Sequence, residues 1–117
     1  MSVDASRHAP LTPDVEALVF DALHDLGGIT VWSLGAQSPW PHVTDVVDVQ
    51  VDVRASSKKR ARDRAYEARR LMLLLPFTAA PVANVVVVGG PLWLADDDGA
   101  PRYSMTFAVT VRAARGT

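Results

Sequence analysis

Two stretches alternate apolar and polar residues so strictly that they restrict what this chain can fold into. In 44–55, TDVVDVQVDVRA, Val47, Val49, Val51 and Val53 share one side, and Asp48, Gln50, Asp52 and Arg54 share the other. In 102–113, RYSMTFAVTVRA, Tyr103, Met105, Phe107, Val109 and Val111 face one way, and Ser104, Thr106, Thr110 and Arg112 the other. Successive side chains of a strand point to opposite faces. Each stretch therefore predicts a strand with one face in the core and one in water. A sheet apolar on one face needs a cover there, and the rest of the chain must supply it.

Two helices fit that need. In TPDVEALVFDALHDLGG, Thr12 is the expected N-cap, Pro13 the first helical residue and Asp14 part of the first turn. Val15, Leu18, Val19, Ala22, Leu23 and Leu26 form one apolar face, and Gly27 suits a left-handed stop. The second helix is predicted from Ser56 or Ser57 to about Leu75, ended by Pro76. Its buried stripe is Ala61, Ala65, Ala68, Met72 and Leu75, where small side chains permit a close approach to a sheet. The last turn, LMLLLPF, is apolar all round, which predicts a cover from another element or subunit.

Two further strands complete the set. ITVWSLG reads as a short strand followed by a loop, AQSPWPH, because Pro39 and Pro41 cannot serve a central ladder. VANVVVVGGPLWLA reads as a strand bent or bulged at Gly89, Gly90 and Pro91. DDDGAP then joins it to the last strand as a hairpin, with Gly99 able to take positive φ. Trp32 and Trp93 alternate with strand residues and read as core. Trp40, between prolines, reads as a loop residue and a candidate interface anchor. The predicted class is α+β: an about four-stranded mixed sheet with two helices on one face, in the order α-β-β-α-β-β. If the strands around the second helix are parallel neighbours, that passage is a right-handed crossover. The 117 residues suit a flexible arm over 1–11 and a single domain over 12–117.

Composition narrows the chemistry. The absence of cysteine excludes disulfides, thiolate metal sites and cysteine nucleophiles. The polar start lacks the pattern of a signal peptide, and no apolar run approaches the ~20 residues of a membrane span, so a soluble protein made and assembled inside a cell is expected. His8, His24 and His42 have no metal-ligand spacing, WSLGAQSPW lacks a nucleophile elbow, and Gly89–Gly90 lie in strand-like sequence rather than before a helix. No catalytic, cofactor or metal residue is assigned. Asp96, Asp97 and Asp98 offer hard-cation oxygens, which keeps a small metal-dependent enzyme as an alternative. The competing reading is the wet tip of a hairpin.

Charge is unevenly placed. Residues 54–70 hold eight basic and two acidic side chains, a balance of +6, and the remainder holds four basic and eleven acidic, a balance of −7. Lys59, Arg62, Tyr66, Arg69 and Arg70 share a flank of the second helix. The acidic remainder argues against a general nucleic-acid binder. A solvated or subunit-facing helix fits better, with pairs such as Lys59–Asp63 and Glu67–Arg70.

The VQVDV strand, the Ala- and Arg-rich helix and the closing hairpin resemble the tail terminator proteins of long-tailed bacteriophages, especially those infecting actinobacteria. The hairpin has the form G-P-x-W-L-x-D-x-D-G-x-P-R-Y, carried by Gly90, Pro91, Trp93, Leu94, Asp96, Asp98, Gly99, Pro101, Arg102 and Tyr103. The resemblance spans roughly residues 12–113. It implies a virion protein, assembled in the host cytoplasm, that forms a homo-hexameric ring on the head-proximal end of the tail tube. That ring stops polymerisation of the major tail tube protein and meets a head-completion or neck protein. DNA passes through its lumen without specific binding, and no cofactor, catalysis or membrane is implied. Another neck or tail-completion protein is the near alternative. Candidate subunit or partner contacts are Trp40, Lys59, Arg62, Tyr66, Arg69, Arg70, Leu73 and Leu74. Asp48, Asp52 and the Asp96, Asp97, Asp98 tip are candidate lumen acids, since bases there would hold the phosphates.

Overall fold

The computed structural model describes residues 14–40, 44–95 and 98–112. Helix α1 spans Val15–Leu23 and runs into a 3-10 turn, His24–Leu26. Strands β1 (Ile29–Trp40) and β2 (Thr44–Arg54) follow, then helix α2 (Lys58–Thr78), then β3 (Val82–Ala95) and β4 (Pro101–Arg112). The architecture is α+β, with the strands in one sheet of order β1-β2-β4-β3.

Every neighbouring pair is antiparallel, so the sheet is not mixed as expected. β2 and β3 do run parallel, but β4 lies between them. The crossover through α2 therefore leaves a gap one strand wide, and the final hairpin fills it. This arrangement puts the two strictly alternating strands, β2 and β4, at the centre, where both edges can be paired.

The core lies between the sheet and the helices. Val47, Val49, Val51 and Val53 of β2 and Tyr103, Met105, Phe107, Val109 and Val111 of β4 are buried there. Val15, Val19 and Leu23 of α1 and the whole predicted stripe of α2 close it from above. α1 packs mainly over β1, and α2 over β3 and β4.

Several boundaries differ from the sequence expectation. The N-cap of α1 is Asp14, whose carboxylate accepts from the Ala17 N–H at 3.1 Å; Thr12 and Pro13 lie outside the described residues. α2 begins after Ser57, whose hydroxyl accepts from the Arg60 N–H at 3.2 Å. It runs through Pro76 to Thr78. A proline removes one helical hydrogen bond, and close to the end of a helix few turns remain to be disrupted. β1 continues through Pro39, which was expected to lie in a loop. β1 is an edge strand, and an edge is where a sheet tolerates proline. Its register shifts between Ser33 and Gly35 and between Gln37 and Trp40. β3 shifts register between Val87 and Gly89 and between Gly89 and Leu92, at the predicted interruption, where the Gly90–Pro91 peptide is cis. Gly27 ends the 3-10 turn at the predicted positive φ, +79, but with ψ 150 it is extended and not left-handed helical; the hairpin turn has Gly99 at φ +81, as the sequence predicts.

Candidate functional site

The face of the sheet away from the helices carries the polar half of each alternating strand. Its centre is Asp52, expected to be wet yet only 1% exposed. The register explains the burial: Asp52 stands opposite Ser104 on one side and Thr30 on the other, and Arg54 stands opposite Arg102. One carboxylate oxygen accepts from Arg102 Nη1 at 2.6 Å. The other accepts from the Ser104 hydroxyl at 2.7 Å and from Gln50 Nε2 at 3.1 Å. A carboxylate with three donors and an ion pair is a satisfied structural group, not a free acid waiting for a metal. Asp52 is thereby removed from the candidate lumen acids, while Asp48 is half-buried on the same face.

Trp32 lies on this polar-side face, half-buried, because its register partner is Gln50; it is not in the core. Trp93 is also misjudged by alternation alone. It is 37% exposed at the end of β3, with its ring 5.5 Å from that of Tyr103. Lys58 Nζ stands 4.7 Å above the Trp93 ring. That contact ties the start of α2 to the end of β3.

The hairpin residues have separable structural roles. Tyr103 and Trp93 pack together, Arg102 holds Asp52, and Gly99 turns the chain. Asp98 accepts from the Ala100 N–H at 2.9 Å, an Asx turn. Asp96 and Asp97 lie outside the described residues. Among the described residues no three His, Asp or Glu side chains converge on a point.

The candidate contacts on α2 divide between two flanks and the top. Leu74, with Leu71 and Thr78, lines a groove of about 500 Å³ against Leu18, Asp21 and Ala22 of α1. Arg62, Tyr66, Arg69 and Leu73 lie on the opposite flank, toward β3, as the ~100° step of a helix requires. On the top, Lys59 pairs with Asp63 at 3.0 Å, and Arg70 grips Glu67 with two bonds of 2.7 and 2.8 Å. The bonds from Arg70 hold the Glu67 carboxyl below the usual carboxylate range. Arg62 stacks over the Tyr66 ring at 5.2 Å. Leu73 and Leu74 are exposed, so no described element of this chain supplies the cover expected over the apolar last turn. Phe77 is 85% exposed and was missed as a candidate, although LMLLLPF contains it. The backbone of Trp40 pairs with Thr44 at the end of β1; its side chain lies outside the described residues.

No helix is long and apolar enough to cross a membrane among the described residues. No family model matches the chain, and no curated protein matches it in sequence.

Proposed function

We propose that this chain is a structural virion subunit, a tail terminator that rings the head-proximal end of a phage tail tube and offers the opposite side of the ring to a neck protein. The observation that carries the reading is the β3–β4 hairpin. Its form is the most specific part of the resemblance, and its described residues hold the sheet together through the Trp93–Tyr103 packing and the Arg102–Asp52 pair. A ring subunit also needs two different lateral surfaces, because a heterologous contact must close on itself. The two sides of the helix layer differ in that way: α2 is rich in Lys and Arg, and α1 carries acids with no Lys or Arg.

Deletion of the gene from its phage tests the function directly. Electron microscopy is expected to show overlong tails and unjoined heads. Tails of normal length joined to heads refute the reading.

A further inference from the structure

The two lateral sides of the molecule are opposite in charge. On the β3 side, α2 projects Arg62, Tyr66, Arg69 and Leu73, and Phe77 projects from the adjoining top of the helix near its end. Tyr66, Leu73 and Phe77 are all exposed. The other bases on the top of α2, Lys59 and Arg70, are answered by acids of the same helix. Among the described residues neither Arg62 nor Arg69 has an acidic partner. On the opposite side, Asp14, Glu16, Ala17 and Phe20 of the α1 segment and Val31 of β1 line a shallow cleft of about 400 Å³. Among the described residues the cleft has apolar walls, two carboxylates and no base. Asp14 and Glu16 each use one oxygen within the chain, on the Ala17 and Ser33 N–H groups.

We infer that the Arg62–Arg69 flank of α2, with Phe77 as its projecting ring, seats in the α1–β1 cleft of a second copy of this chain. Opposite charges fix the pairing, and like charges oppose flank on flank or cleft on cleft. The contact is therefore head-to-tail, and each copy keeps one side open for the next. Strand directions agree with it. Three antiparallel steps separate β1 from β3, so those edges run in opposite directions. A copy set alongside in the same orientation thus brings its β1 antiparallel to the first copy's β3. The Glu16 carboxylate already occupies the Ser33 donor on the β1 edge. That donor is not open to a continued ladder, and the proposed contact is one between side chains. This inference rests on the ring-subunit reading.

Sedimentation velocity and native mass spectrometry of the full chain, across a concentration series, test it. One variant, Arg62→Glu with Arg69→Glu, reverses the flank. The other, Ala17→Arg, fills the cleft at an exposed helical position and leaves Asp14 and Glu16 in place. Circular dichroism and thermal unfolding check that both fold. The wild-type chain is expected to associate beyond a dimer, and each variant alone to stay monomeric. Their equimolar mixture is expected to form a heterodimer and nothing larger, because only one flank and one cleft remain intact. A wild-type chain monomeric throughout the series overturns the inference, as does either variant that assembles like wild type, or a mixture that forms no dimer. These outcomes are separable from failure of the functional reading, which appears as normal tails in the gene deletion whatever the isolated chain does.

Discussion

Asp52 is a buried charge whose environment accounts for it. Arg102, Ser104 and Gln50 supply three donors, and the Asp52 side chain has almost no contact with water. Removing one partner of a buried pair leaves the other charge uncompensated, which costs more than the pair contributes. Asp52→Ala is therefore expected to destabilise the fold by about 3 kcal/mol. Adding Arg102→Met to it is expected to restore part of that loss, and urea unfolding of the single and double variants reads both. At the helix surface the effects are smaller. Glu67 has its pKa lowered by the hydrogen bonds from Arg70. A lowered carboxylate pKa contributes stability above the unfolded-state pKa and loses it as pH falls through the folded one. Glu67→Gln is thus expected to reduce the acid sensitivity of thermal unfolding slightly, with little change at neutral pH, because the site is exposed and solvent-screened. A wild-type and variant difference that widens toward acid pH contradicts this.

Among the elements, the joint between the 3-10 turn and β1 is the least tolerant. Gly28 has φ +68, and a Cβ there runs into the Arg54 backbone carbonyl across the sheet. The Gly28 carbonyl also accepts from the Arg54 N–H at 2.8 Å, so the two backbones cannot separate without breaking a bond. Gly28→Ala is expected to cost about 2 kcal/mol or more, from strain at positive φ together with the backbone clash. Thermal unfolding measures it, and a variant as stable as wild type contradicts the close approach. The α2 stripe was legible because Ala61, Ala65, Ala68, Met72 and Leu75 recur at helical spacing, which is a local property. The extent of β1 was not legible. Proline argues for a loop, and only the position of β1 at the sheet edge makes Pro39 acceptable.

At the scale of the whole molecule, the strand order sets the gradient of stability. β2 and β4 are paired on both sides and supply most of the buried sheet residues, whereas β1 and β3 each have an open edge. Local opening follows the number of buried contacts and backbone bonds that must be lost. Amide hydrogen exchange is expected to be slowest at Val49, Val51, Met105 and Phe107 and faster along β1 beyond its register shift at Gly35. Equal protection in all four strands contradicts that order. Exposed apolar groups include Phe20 beside the α1 cleft and Phe77 near the end of α2. Phe77→Ser is accordingly expected to change the thermal midpoint little and to reduce association sharply, as sedimentation reads it.

The sequence alone determined the period of each element, the residues that share a face, the helix stripe and the turn at Gly99. These follow from backbone geometry within a few residues, and no distant contact enters. It did not determine what each face meets. Alternation put Asp52 on a polar side, but strand register placed Arg102 and Ser104, distant in the chain, against it and took it out of water. The same register put Trp32 on the polar-side face, and the lie of α2 over the sheet left Trp93 as a half-open platform under Lys58. The division of α2 into a groove side toward α1 and a basic flank toward β3 also came from packing. Periodicity states which side chains travel together, and only the neighbours assembled by the tertiary fold decide whether that side is core, groove or surface.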